Sequence, residues 1–532
     1  MMDAERTIRR FLLFGFLCLQ YGCTDPPPKE VRRPLDDTRF SRSDTIRDFA
    51  RLEVPMSVTV SGYGLVGGLT QGGSRDCPDH IRAYLKRMVR GKAKSDINID
   101  ALIASEFTTV VYLEAVVPVA AMKADEFDVK VLCLSGLAAT VLNGGWLYES
   151  DLRLLGDDVS SPMVGTVKGP VFVHEGSDPE AQPQKVGHIL GGGRVTADPA
   201  IKLILEAGDY QMTSWMRNLI IRRFGRDTAV AVSLGRIVLK VPVLYRRQRW
   251  RFFAMVEAMY LNQAPEVVNN RTMRLIGELA SSKDRNKPEI ALEAIGPACL
   301  KKTAALLQSS DEAVRLSVAR CMTNLGSERG LQVLTTIATD PSSTRRREAI
   351  KAMGSALPVE PVIGVLQMLL RDEDFDVVLE AYELLTQLSR EKIDRTLVAG
   401  SFSMERIPHT PQKAIVVTRR GRPRMTLFGA PILFEPGRLF QSPDGFVMLD
   451  SRAADGFVSL TRKHPTRPTV IGPLRCRAEL GEMILVICGE YLSQGGPGGG
   501  LGVSYADAIA LIRQMCDKRY VDAELWAGPL PQ

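Results

Sequence analysis

Three groups of residues in the 532-residue sequence have types and spacings that could do chemistry. Gly62, Gly64 and Gly67 spell the G-x-G-x-x-G string, in which a tight turn lets backbone amides approach the pyrophosphate of a dinucleotide. That chemistry needs a helix to open at the last glycine, because the helix N-terminus holds the phosphates. Here Gly68, Gln71, Gly72 and Gly73 follow, and no helix can start before about Pro78. The run is therefore expected to be a tight structural turn after a strand at 57–61, with no cofactor. Arg246, Arg247, Arg249 and Arg251 crowd the start of a helix expected over 248–261, where positive charge opposes the helix dipole by roughly 0.3–1 kcal/mol each. They read either as a solvated, fraying turn or as a surface for an anionic partner. Arg419, Arg420, Arg422 and Arg424 form a second cluster open to the same two readings. The third group is the histidines, His80, His174, His188, His409 and His464, which contain no HxH or HxxxH pair, so no metal is expected. No GxSxG elbow occurs either, and catalysis would need a site built wholly from distant residues; the expectation is a protein that is not an enzyme.

The first residues bear on the compartment. Arg6, Arg9 and Arg10 precede the apolar run 11–19, then Gly22 and Cys23, then three prolines, the pattern of a secretory signal peptide over 1–22. The run is shorter than the ~20 residues of a membrane-spanning helix. Gly22 before Cys23 resembles a bacterial lipoprotein cleavage site, which makes Cys23 a candidate for lipidation, with 23–44 as a polar linker. Export disfavours nucleic acid as a partner. The seven remaining cysteines are widely spaced with no CxxC pair, against a zinc site or a dense disulfide scaffold.

The elements that must position these residues fall into three stretches, as expected for a chain long enough for several domains. Over 45–262, β-branched runs at 107–117 and 127–134 read as strands. The order strand (201–205), helix from an Asp209 cap to Phe224, strands (228–233 and 236–241) and helix (248–261) suggests a small sheet with helices on one face. Its other face or its edge could meet copies of itself. Over 265–395 helix formers dominate, and segments beginning at Asp311, Asp340 and Asp372 repeat loosely, with Ala319, Ala349 and Ala381 at matching interior positions. Each aspartate is expected to open a helix, and Leu325-Gly326 and Gly354 to close one. This stretch resembles an α-solenoid of HEAT-like repeats, a surface for an unidentified protein. Over 400–532 a β-rich segment is expected, with strands at 415–418, 445–449 and 484–487, a flexible joint at 495–500, a helix carrying Ala508, Ile509, Ile512 and Met515 on one face, and a last strand at 521–526. Its part 401–480 holds 13 Lys and Arg against six acids, an excess equal to the +7 of the whole chain.

The string from Val60 to Leu69, with Gly62, Tyr63, Gly64, Leu65, Gly67 and Gly68, resembles the glycine-rich signature of the flagellar P-ring protein family. The likeness continues through 46–50, the strands up to Leu134, Gly144-Gly145, the 209–225 helix and the Val241-Pro242 strand end, and returns at 502–504 and 523–525. It implies an α+β ring-forming subunit, here with an inserted HEAT-like block. It also implies a periplasmic homo-oligomer of the basal body around the flagellar rod, beside peptidoglycan and the outer-membrane L ring, acting as a bushing in motility. The alternative is an envelope lipoprotein scaffold that binds proteins through its repeats without forming a ring.

Overall fold

The computed structural model describes residues 40–69, 73–74, 76–92, 98–134, 142–154, 161–174, 185–356, 358–453, 455–463, 470–490 and 499–531. The expected signal peptide, Cys23, most of the 23–44 linker, Gly72, His464 and the first part of the 495–500 joint lie outside these residues.

Strand β1 (Ala50–Glu53) leads into β2 (Val58–Gly67), helices α1 (Asp79–Lys92) and α2 (Ile99–Ile103), and then β3 (Thr109–Val117), β4 (Glu126–Cys133), β5 (Trp146–Leu154), β6 (Met163–Pro170) and β7 (Val186–Val195). Strands β2 to β7 close into an antiparallel barrel in the order β2-β3-β4-β7-β6-β5. Closure removes the free edges that an open sheet would leave. The barrel is filled by alternate residues: Val111, Leu113 and Ala115 from β3, and Phe127, Val129 and Val131 from β4, all buried. The sequence reading placed only small mixed sheets here; β5, β6 and β7 carry charges and glycines among their apolar residues, which weakens the alternation that marks a strand.

The next elements follow the expected order: β8 (Ile201–Leu205), α3 (Tyr210–Phe224), β9 (Ala229–Ser233), β10 (Arg236–Leu239) and α4 (Arg249–Glu257). With β1 they make a four-stranded antiparallel sheet, β1-β8-β10-β9. Asp209 caps α3 by accepting the Gln211 amide at 2.8 Å, and Gly225 follows the helix at φ +109°. Met216, Leu219 and Ile220 of α3 and Phe252, Phe253 and Val256 of α4 bury against this sheet. The last helix is shorter than expected because it ends at Glu257, after which Tyr260 pairs as an isolated bridge with Thr45.

Helices α5 (Pro265–Ser281), α6 (Asn286–Ile295), the short α7 (Leu300–Thr303), α8 (Glu312–Asn324), α9 (Glu328–Thr339), α10 (Arg346–Met353), α11 (Glu360–Leu369) and α12 (Phe375–Leu388) stack around one core. Ala319, Ala349 and Ala381 sit fully buried in it, on α8, α10 and α12. Small residues at these crossings let successive helices approach. Of the three aspartates only Asp311 caps a helix, accepting the Ala313 amide at 2.8 Å. Asp340 instead ends α9 and turns onto Ser342, while Asp374 caps α12 and Asp372 is taken by Arg346. Gly326 has φ +81°, but Gly354 stays helical at φ −60°, so only the first is a left-handed stop.

The remainder comprises β11 (Asp394–Val398), β12 (Phe402–Ile407), β13 (Ala414–Val417), β14 (Arg424–Phe428), β15 (Leu439–Gln441), β16 (Val447–Asp450), β17 (Phe457–Lys463), β18 (Val470–Arg477), α13 (Leu480–Cys488), α14 (Tyr505–Asp517) and β19 (Glu524–Ala527). Two sheets form, β11-β12-β14-β13-β19 and β15-β16-β17-β18. The expected strand at 484–487 is helical: Glu479 accepts the amides of Gly481 and Glu482, at 3.0 and 2.9 Å, and starts α13. A four-residue apolar run fits a strand or a buried helix equally well, and the cap decides. Ala508, Ile509, Ile512 and Met515 of α14 are buried as expected, and β19 returns parallel to β13, tying the tail to the basic segment.

Candidate functional site: a glycine strand and two arginine seams

The glycine run is not a turn. Gly62, Gly64 and Gly67 are strand residues of β2, which pairs with β3 without interruption from Val58 to Val66. On its other side β2 meets β5, and the register shifts between Ser61 and Val66. A methyl group at Gly62 would collide with the Asp151 carbonyl oxygen; one at Gly64 would lie 2.7 Å from Ser150 Oγ; one at Gly67, 2.8 Å from the Tyr148 hydroxyl. At Gly62 glycine is required because the β5 backbone passes too closely for a side chain, while at Gly64 and Gly67 the space is taken by side chains of β5. Tyr63 and Leu65 point outward: Tyr63 packs edge-on against Tyr84 and Tyr112, and Leu65 is covered by Ile81 and Leu85 of α1. Gly68, at φ +75°, ends the strand. The signal that sequence reasoning passed over is the period of two through Val58, Val60, Gly62, Gly64 and Val66.

Both arginine clusters close onto acids and carbonyls of the same chain. Arg251 reaches from α4 into the solenoid, where its Nε and Nη2 donate to Glu293 at 2.7 and 2.6 Å and Nη2 also donates to Glu289. Arg320 of α8 donates to both Glu289 oxygens, at 2.6 and 2.5 Å, and Asn324 donates to Glu293 at 2.7 Å. Both glutamates are fully buried. Burial pushes the Glu293 carboxyl above its usual range against the pull of Arg251. Burial would lower Arg251, yet the two glutamates raise it well above its ordinary value. Arg249 donates to the Ala120 carbonyl and to Asp125, both at 2.6 Å; Arg247 donates to the Gln387 carbonyl, and Arg246 lies 3.6 Å from Asp198.

The second cluster joins the barrel to the C-terminal sheets. Arg422 forks onto Glu126 of β4, and Asp128 accepts the amides of Gly421 and Gly191 at 2.9 and 2.7 Å. Arg420 lies 4.0 Å from Asp128, and Arg419 donates to the Gly528 carbonyl at 2.7 Å. Arg424 turns to the solenoid, donating to Glu383 at 3.0 Å. Beneath it the buried Tyr382 hydroxyl bonds Glu405 and Thr426 Oγ1, and burial raises its pKa well above the ordinary tyrosine value. Arg390, Arg395, Arg420, Arg422 and Arg424 thus line, with Glu126, Glu383 and Glu405, a groove of about 580 Å³ where barrel, solenoid and C-terminal sheets meet. The acids that neutralise the arginines, Glu126, Asp128, Glu289, Glu293 and Glu383, are the functional residues that sequence reasoning missed; single acids in strands and helices carry no local signal.

Burial lowers the pKa of His188 and of His174. Among the described residues no group of three or more His, Cys, Asp or Glu is placed to hold a metal ion, and no helix is long and apolar enough to cross a membrane. What the arrangement accomplishes chemically is cohesion: charge-assisted hydrogen bonds fasten four folding units into one body.

Comparison with known proteins agrees with this anatomy. Residues 45–278 match the family model of the flagellar P-ring protein, and 273–354 and 300–386 match HEAT repeats. The chain is 25% identical over 252 residues to the flagellar P-ring protein of Desulfotalea psychrophila, covering 44% of this chain and 63% of the relative. It is 27% identical over 209 residues to flagellar P-ring protein 1 of Hahella chejuensis, covering 37% and 55%. It is 30% identical over 212 residues to the flagellar P-ring protein of Leptospira interrogans, covering 36% and 56%. The chain spans less than two thirds of the length of these curated relatives. The stretch that holds the barrel and the four-stranded sheet, 45–278, is therefore the part similar to the flagellar P-ring protein, and HEAT repeats continue directly from it.

Proposed function

We propose that this protein is a structural subunit of a P ring, assembling in copies of itself into a periplasmic ring around the flagellar rod, beside peptidoglycan and the L ring, as a bushing for rotation. The observation that carries this reading is the family match over the whole barrel and sheet region, 45–278. Within 45–278 the closed barrel has no free edges, so strand-to-strand joining of copies through this region would use the edges of its open sheet, β1 and β9. On the β9 edge Val230 and Val232 are exposed. No catalytic step is assigned, and the family is that of a structural protein rather than an enzyme. The HEAT repeats would present a surface to a further protein of the envelope.

The test is genetic and structural. In cells lacking the chain, isolated basal bodies should lose their P ring and the cells should stop swimming, with both restored by the full-length chain. Basal bodies that keep an intact P ring without it would overturn the reading. In that case the envelope scaffold, resting on the HEAT repeats and on lipidation at Cys23, becomes the working account.

A further inference from the structure

Where the P-ring region passes into the solenoid, helices α3, α5 and α7 enclose a groove of about 690 Å³. Four cationic side chains line it, Arg222, Arg223, Arg271 and Lys302, and its lining includes no Asp or Glu. Such a balance differs from both seams described above, where each arginine cluster faces carboxylates. Arg271 is the unusual member. It is only 4% exposed, its Nε has no hydrogen-bond partner, and no carboxylate lies within ion-pair distance of it among the described residues. Its other nitrogens donate to the carbonyls of Asn262 and Arg42, and its guanidinium stacks 3.6 Å above the centre of the Tyr260 ring. Burial pushes the group down to about 10, which still leaves it charged at neutral pH. Arg223 is held in place by the Glu293 carbonyl, at 2.8 and 3.2 Å, and Lys302 by Asn269. Arg222 is exposed and makes no ion pair among the described residues.

Holding like charges together around a recess raises its potential, and a buried cation without a counter-ion is costly unless an anion arrives. The volume lies in the ordinary range for a small ligand, roughly 300–1,000 Å³. Four cations exceed the charge of one monovalent ion, so a ligand carrying more than one negative charge matches the groove better. We propose that this groove binds a small molecule carrying at least two oxyanion groups, phosphate or carboxylate, with Arg222, Arg223, Arg271 and Lys302 as its cationic contacts and the Asn269 and Gln263 amides beside them. Occupancy would neutralise the charge at the joint between the P-ring region and the repeats and so stabilise their mutual arrangement. The proposal is independent of ring assembly.

Titration calorimetry of the full chain with pyrophosphate and with citrate, at constant ionic strength, tests it. Saturable binding of one anion per chain is expected, weakened at least about tenfold in the double variant Arg222→Gln/Lys302→Gln. Both residues are exposed, so the variant should fold, as circular dichroism can verify. Lys283→Gln/Lys287→Gln removes the same charge outside the groove and should leave affinity within twofold. Binding of pyrophosphate alone identifies phosphate as the recognised chemistry, and binding of citrate alone identifies carboxylate. Absence of saturable binding with either anion, equal affinity in the groove variant, or an equal loss in the control variant overturns the site.

Discussion

Two seams hold this molecule together with the same chemistry in different surroundings. At the solenoid seam Arg251 meets Glu289 and Glu293, which are fully buried. At the barrel seam Arg422 meets Glu126 with their side chains 45% and 20% exposed. Coulomb attraction per pair is far larger in the dry seam, but so is the cost of stripping water from the charges, and the two nearly cancel. The buried set therefore fixes which surfaces fit together more than it adds stability, and its partners cannot be removed singly. The wet seam works differently. Its ion pair is screened, and the durable part is Asp128, whose carboxylate satisfies two backbone amides from two different units.

The comparison can be broken by three substitutions. Glu289→Ala should have the largest effect, because it strands Arg320 and takes one of the two buried carboxylates from Arg251, which keeps Glu293; about 3–5 kcal/mol should be lost in urea unfolding of the full chain. A loss below about 1 kcal/mol would mean that water enters the seam and that the two seams are alike. Asp128→Ala should cost about 1–3 kcal/mol by leaving the Gly191 and Gly421 amides without their acceptor. Hydrogen exchange should speed up at those two amides and not in the solenoid. Arg422→Ala should cost less than about 1 kcal/mol, and the difference from wild type should shrink in 1 M salt. A salt-independent loss of several kcal/mol at Arg422 would place that pair with the buried class.

How much of this was legible depended on whether the signal was local. The order β8-α3-β9-β10-α4 could be read because an Asp cap, a glycine stop and alternating strands lie within sixty residues. The buried alanines 319, 349 and 381 were found because helical repeats restate one pattern. The barrel was not legible: its glycines serve contacts with β5, some ninety residues further along the chain. Asp340 and Asp372 misled for the same reason; an aspartate ahead of a helix suits a cap, a turn or an ion pair, and only the placement of Arg346 assigned Asp372.

The amino-acid sequence by itself determined the three-part composition, the helices and strands with their own caps and periods, the P-ring likeness and the concentration of arginine at two places. Tertiary structure alone decided that β2 closes a barrel, that the arginines face acids of the same chain, and that the cations of α3, α5 and α7 gather in a groove that no Asp or Glu lines. The reason is physical: caps and periodicity act over a few residues, whereas a charge acquires its partner, and a glycine its necessity, only from whatever the fold brings within a few ångströms.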